Sequence, residues 1–148
     1  MKPPPSSSRF WKLFNAGTRL NVVLFRASKG RIGGRIKQLP VLLLHHVGRR
    51  SGEARVSPLL YLDDGERLVV VASKGGTDKN PAWFYNLLAH PETEVELKRG
   101  ERRDVRARQA GEAEREAYWP RLVEYYKPYA EYQSHAERTI PVVVLEPR

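Results

Sequence analysis

Gly48-Arg49-Arg50-Ser51-Gly52, followed by Arg55, is a segment of this 148-residue chain well suited to holding an anion. Paired glycines let the backbone bend tightly, so that amide N–H groups can converge on a negative oxygen. Arginine forks match phosphate or carboxylate oxygens in pairs, and Ser51 adds a hydroxyl donor. The same residues also read as a hairpin turn carrying solvated arginines. They are not a Walker loop, because no GxxxxGK[ST] pattern occurs. Ser73-Lys74-Gly75-Gly76 is a second segment. Small residues at a strand end let a flat ring approach the backbone, and Lys74 can reach an anionic group. A plain flexible loop is the alternative. Asn80-Pro81-Ala82-Trp83-Phe84-Tyr85-Asn86 opens a short helix. Either Trp83 fills a gap in the core, or the helix start and Trp83 lie beside a bound group. A cluster of Tyr118, Trp119, Tyr125, Tyr126, Tyr129 and Tyr132 closes the set. Tyrosines present an apolar wall with hydroxyl donors, able to polarise a nitro or carbonyl oxygen. A core-and-surface stripe is the competing reading. The histidines carry less. His45 and His46 are neighbours on a strand, so they point to opposite faces and cannot easily share a metal. His90 precedes Pro91 and His135 is isolated. No metal site and no Ser/His/Asp arrangement is expected.

These residues need elements to hold them. Residues 1–8, MKPPPSSS, read as a disordered Pro/Ser tail. Phe10, Leu13, Phe14, Leu20, Leu24 and Ala27 recur at helical steps, with Lys12, Arg19 and Arg26 on the other side. Residues 9–35 are therefore expected as a basic amphipathic helix ending in a glycine loop. It covers one end of the domain or, through residues 9–28, touches an anionic membrane surface. Strands are predicted at 40–47, 54–62 and 68–73, joined by the GRRSG turn and by a hairpin at Asp63-Asp64-Gly65. Pro58 marks an edge or a bulge. Asn80 is expected as the N-cap of a helix over 81–89, with Pro81 at its first position. Strands follow at 93–98 and 102–108, turning at Arg99-Gly100. A helix is predicted over 112–126, with Glu112, Glu114 and Glu116 at its electropositive start. A last strand spans 139–145. Six antiparallel strands and three helices suit a small barrel, because closure removes exposed edges. Residues 36–148 are its single domain.

Composition limits the chemistry. There is no cysteine, which excludes disulfides, thiolate zinc sites, iron–sulfur clusters and cysteine nucleophiles. Residues 1–8 have no apolar run of the signal-peptide kind, and no stretch nears the ~20 apolar residues of a membrane span. A cytoplasmic protein, able to associate with a membrane surface through its basic helix, is the expectation. The net charge is +9, yet residues 1–62 hold 12 Lys and Arg against one acid, Glu53. All of the positive excess lies in that half. Such asymmetry points to an anionic partner. Nucleic acid is not expected, since no recognition motif accompanies the charge.

The string VGRRSGEARVSPLLYLDDGERLVVVASKGGTDKNPAWFYNLLAHPETEVEL, followed late by YAEYQSHAERTIPVVVLEP, resembles the deazaflavin-dependent nitroreductase family. The likeness runs from about residue 40 to the end. It implies a six-stranded split β-barrel that binds coenzyme F420 in its reduced form, with FMN as the lesser alternative. It implies hydride transfer to an electron-poor acceptor, a quinone or a nitro compound. A non-catalytic cofactor or lipid carrier is the competing reading, and the chain is expected as a monomer or homodimer. Carried over, the resemblance assigns the cofactor's phosphate and acidic tail to Arg49, Arg50, Ser51 and Arg55, with Val56, Ser57 and Pro58 alongside. It sets Val71, Ala72, Ser73 and Lys74 against the deazaflavin head group, flanked by Ala82, Trp83, Tyr85 and Asn86. It puts Tyr129 and Tyr132 near the acceptor, where they or Ser73 would donate hydrogen bonds. Leu60 and His135 depart from the pattern, standing where members active on nitroimidazoles carry aromatics.

Overall fold

A computed structural model describes residues 35–36 and 39–148. The expected tail and basic amphipathic helix lie outside the described residues, apart from Arg35 at their end. Seven strands of three or more residues are β1 Leu39–Val47, β2 Ala54–Leu60, β3 Leu62–Asp64, β4 Arg67–Val71, β5 Glu92–Glu96, β6 Arg102–Gln109 and β7 Val142–Pro147. Helices are α1 Ala82–Ala89, α2 Glu112–Tyr125 and α3 Pro128–His135. The two-residue segment Arg35–Ile36 pairs with the start of β1.

All pairings are antiparallel, in the order β3-β4-β7-β6-β5-β1, with β2 on the other edge of β1. The count is seven rather than the expected six, because the run 54–62 breaks at Tyr61. Its first part pairs with β1 and its second with β4. Both ends of the sheet are thus successive pieces of one stretch of chain, and the sheet curls into a half-barrel. Tyr61 packs on the core at this bend, and the Tyr125 hydroxyl donates to its carbonyl at 2.7 Å. That bond satisfies a backbone group the bend takes out of the ladder. β2 pairs on one side only, which is where Pro58 can sit without breaking a central ladder. β3 and β4 are joined by the two-residue loop Gly65-Glu66, with Gly65 at φ +72°. Only glycine takes that backbone freely.

The sheet buries both faces. Leu68, Val70, Ala72, Val143 and Leu145 pack with Trp83, Phe84 and Leu87 of α1. Val69, Val71, Val142 and Val144 pack with Tyr118, Leu122 and Tyr129 of α2 and α3 on the opposite face. This explains why β4 and β7 read as unbroken apolar runs rather than alternating ones. Each such Val or Leu contributes about 1.5–3 kcal/mol by leaving water. The helix expected over 112–126 is followed by another. Tyr126 is extended, and Pro128 at the first position of α3 restarts the helix in a new direction.

Candidate functional site

The β1–β2 hairpin builds the first part of the site. Gly48 N–H donates to the Glu53 carbonyl at 2.9 Å, and Gly52 N–H to the Gly48 carbonyl at 2.8 Å. A Cβ at Gly48 would collide with Ser51 Oγ and lie 3.4 Å from Arg55 Nε. Glycine there is what lets both side chains fold in over the turn. The register sets Arg55 opposite His46 and Ser57 opposite Leu44. Leu44 belongs to the core under α1, so Arg55 and Ser57 share the α1 face. Val56 and Pro58 alternate to the other face, opposite His45 and Leu43. Arg49, Arg50, Ser51 and Arg55 are exposed. The Arg55–Glu53 pair is 3.7 Å apart with both groups in water, an arrangement that constrains the guanidinium little.

Helix α1 covers this end of the sheet. Its start differs from the expectation: Pro81, not Asn80, is the N-cap, and no side chain caps the helix. The Asn80 amide is drawn elsewhere. Its nitrogen donates to the Tyr85 hydroxyl at 3.1 Å, and its oxygen accepts from the Arg138 guanidinium. A charged donor outcompetes a backbone amide for that oxygen. Trp83 is buried in the core beneath α1, Ala82 is exposed, and Tyr85 faces outward. The Arg49 guanidinium lies 5.0 Å from the Tyr85 ring centre, within cation–π range. Asn86 is buried and reaches back to the hairpin. Its Oδ1 accepts the Arg49 backbone N–H at 3.0 Å, and its Nδ2 lies 3.0 Å from His46 Nδ1. His46 Nε2 is 2.9 Å from Ser57 Oγ. Burial, with the charges of Arg55 and His45 added, lowers His46 to about 4, so it is neutral. His45 points the other way, 2.6 Å from Glu96, as expected for strand neighbours.

The second part lies at the end of β4. Lys74, Gly75 and Gly76 all have positive φ. A Cβ at Gly76 would lie 2.5 Å from the Tyr132 carbonyl oxygen, so the turn lies directly against α3. Val71 faces the α2/α3 core and Ala72 the α1 core, and only at half-buried Ser73 and Lys74 does the chain leave both. Burial lowers the Lys74 ammonium below its usual range. Arg138 organises the whole segment. It donates to the carbonyls of Ala72 at 3.2 Å, Ser73 at 2.7 Å and Thr77 at 3.0 Å, as well as to Asn80. Burial lowers its own affinity for a proton, and these acceptors hold the charge in place. Tyr129 is buried among Tyr126, Tyr132 and Trp119, with Tyr126 edge-on at 4.9 Å. Tyr132 is half-buried, its hydroxyl 3.4 Å from that of Tyr126. Burial raises both Tyr129 and Tyr132 well above the usual phenol range, so each keeps its proton.

The structure therefore gathers Arg49, Ser51, Arg55, Ser57, Tyr85 and Asn86 at one end of the α1 face. It gathers Ser73, Lys74, Tyr129 and Tyr132 around the β4 turn. Asn80 joins the groups through Tyr85 on one side and Arg138 on the other. The side chains of Val56, Pro58 and Val71 point away from the α1 face. Sequence reasoning misses His46 and Arg138. His46 reads only as a poor metal ligand, and nothing in its spacing betrays a buried hydrogen-bonding role. Arg138 opens the RTIP string, yet it looks like any surface arginine until the fold brings it to residues 72–80. Among the described residues, no cluster of His, Asp and Glu could hold a metal ion, and no helix is long and apolar enough to cross a membrane.

Comparison with known proteins bears on this arrangement. The family model described as F420H(2)-dependent quinone reductase matches residues 17–147. An F420H(2)-dependent quinone reductase of Mycobacterium tuberculosis is 38% identical over 135 residues, covering 88% of this chain and 89% of that protein. A solved F420-H2 dependent reductase, FDR-A, superposes with a TM-score of 0.66 at 39% identity, over 72% of this chain and 94% of that one. A structure described as a domain-swapped dimer superposes with a TM-score of 0.68 at 32% identity, over 91% of this chain and 99% of that one.

Proposed function

The chain belongs to the F420H(2)-dependent quinone reductase family, and on that premise we propose that it oxidises reduced coenzyme F420 and passes the electrons to a quinone-type acceptor. One observation carries the reading: a continuous run of contacts from the arginine turn to the β4 turn. Arg49 lies over Tyr85, Tyr85 accepts from Asn80, and Asn80 accepts from Arg138, which also holds the Ser73 carbonyl. The residues fit the cofactor. Arg49, Arg50 and Arg55 are exposed guanidiniums on a tight glycine turn, with hydroxyls at Ser51 and Ser57. That donor set suits a phosphate and a carboxylate-bearing tail.

When bound, the reduced deazaflavin supplies the hydride, and the chain supplies position and electrostatics. Arg49, Arg50 and Arg55 would hold the anionic end of the cofactor. Ser73 and Lys74 receive the ring where small residues bring the backbone close. Hydride arrival at a quinone builds negative charge on its oxygen, and a preorganised donor lowers that barrier. Tyr132 meets this need by hydrogen bonding rather than by giving up its proton, because burial makes the phenol a weaker acid. The proton that completes the hydroquinone comes from water. Tyr129, deeper in the same cluster, sets the Tyr132 ring by edge contact. A nitro compound is electron-poor in the same way and belongs to the same proposal as a second acceptor class. The split-barrel form of the fold and a dimeric assembly are the finer structural readings, favoured by the likeness to the solved relatives.

The test is anaerobic mixing of the protein with reduced F420 and a panel of quinones and nitroarenes. Return of the oxidised deazaflavin's fluorescence above the protein-free rate is expected. No acceleration with any quinone, alongside no quenching of added F420, defeats the proposal. An absorbance shift of FMN without any response to F420 replaces it with the FMN reading.

A further inference from the structure

Under the hairpin lies a hydrogen-bond chain whose direction is fixed at one end. The Arg49 backbone N–H can only donate, so the Asn86 atom facing it at 3.0 Å is the oxygen. The other end of that amide, Nδ2, must then donate to His46 Nδ1 at 3.0 Å. His46 Nδ1 is an acceptor and carries no proton. A neutral imidazole therefore bears its proton on Nε2, which donates to Ser57 Oγ at 2.9 Å. Ser57 accepts from the imidazole, so its own O–H must leave in another direction. Among the described residues no acceptor takes that proton. Ser57 is half-buried on the α1 face beside Arg55, which is exposed.

We propose that His46 is a positioning residue, which locks the Ser57 hydroxyl as an outward donor beside Arg55 and, through Asn86, holds the Arg49 turn for the anionic part of the cofactor. The inference rests on the F420 reading above. Its distinctive content is directional. A histidine that only filled space would leave the Ser57 proton free to turn inward or outward. A histidine that donates from Nε2 removes the inward choice, so the hydroxyl is ready before the anion arrives. Preorganised donors of this kind cost the ligand little to engage.

The experiment measures binding of oxidised F420 by fluorescence quenching in the wild type, His46→Leu, His46→Gln, Ser57→Ala and a double variant carrying both His46→Leu and Ser57→Ala. A long-range ¹⁵N correlation spectrum of the wild type reads the His46 tautomer directly. His46→Leu and Ser57→Ala should each weaken binding by about tenfold, the range of one charge-assisted hydrogen bond. The double variant should be no weaker than His46→Leu alone, because Ser57 acts only through His46, whereas His46 also acts through Asn86. His46→Gln can still accept from Asn86 and donate to Ser57, so it should restore most of the affinity. The spectrum should show the proton on Nε2. Wild-type affinity in Ser57→Ala, fully additive losses in the double variant, or a proton on Nδ1 overturns the inference. If His46→Leu does not fold, the tautomer and Ser57→Ala still decide it. Absence of quenching in the wild type would take the cofactor reading down as well, whereas failure confined to the variants removes only the role of His46.

Discussion

Replacing Arg138 with alanine removes four hydrogen bonds at once, to the carbonyls of Ala72, Ser73 and Thr77 and to the Asn80 amide oxygen. Hydrogen bonds from a charged donor contribute about 1.5–3 kcal/mol each when buried. Arg138 is half-buried, so water replaces part of what is lost. Taking about 1 kcal/mol per bond gives a loss of about 4 kcal/mol, a large share of the ~5–15 kcal/mol that holds a domain together. For a chain of this size each kcal/mol moves the melting temperature by about 2–4 °C. The expected fall is about 8–16 °C, read by circular dichroism during heating. Arg138→Lys keeps the charge, but one ammonium on a flexible stem cannot span acceptors from residue 72 to residue 80. It should recover about half of the loss. The same variants should bind F420 more weakly than their residual stability predicts, because the Ser73-Lys74 turn is no longer held. A fall of under about 3 °C in Arg138→Ala would refute the claim that this guanidinium organises the turn.

Gly76→Ala sets a Cβ 2.5 Å from the Tyr132 carbonyl oxygen at a φ of +78°; it should destabilise by about 2–4 kcal/mol, measured as a lower urea midpoint. His46 titrates at about 4 in the fold against 6.5 ordinarily. The unfolded chain therefore takes up its proton first, and the stability is complete above pH 6.5 and drains away as pH falls towards 4. Melting temperatures should fall more steeply on acidification through that window in the wild type than in His46→Gln; parallel curves would refute the buried neutral imidazole. Arg55→Ala should weaken F420 binding and flatten its dependence on salt, and an unchanged salt slope in titrations would remove Arg55 from the anionic tail. Tyr132→Phe should lower the turnover number more than the F420 affinity, as seen in steady-state kinetics, and unchanged turnover would exclude its hydroxyl from the reaction.

Much of the architecture is legible in the sequence because local signals agree with the fold. Period, turn glycines and prolines mark β1, β4, β5, β6 and β7 to within a few residues, and Pro58 belongs to an edge strand as its chemistry requires. The break at Tyr61 is not visible, since nothing in LLYLDD opposes a continuous strand; the bend is imposed by closure of the sheet's path and by Tyr125 from a distant helix. Asn80 shows the same limit. Its type and the following proline are ordinary cap signals, and only Arg138, 58 residues away in sequence, redirects the side chain. The arginine turn and the β4 turn can be picked out because their chemistry is written in consecutive residues. His46 and Arg138 cannot, because what they do depends entirely on partners supplied by other elements.

The position of the candidate site follows from the double burial of β4. While the strand is covered on both faces, neither face can admit a ligand: Val69 and Val71 belong to the helices α2 and α3, Leu68 and Val70 to α1. Cover ends on both sides at the same place, where Ala72 gives way to half-buried Ser73 and Lys74. On the α1 side that strand end is tied through Arg138 and Asn80 to Tyr85 and the Arg49 turn, and on the other side α3 packs directly against the turn at Gly76. Neither layer alone could build this, since the arginine turn and the tyrosine hydroxyls belong to opposite faces of one sheet. The clasp of Asn80 and Arg138 closes the gap between them, which is why an arginine remote from any expected chemistry should matter to binding as well as to stability.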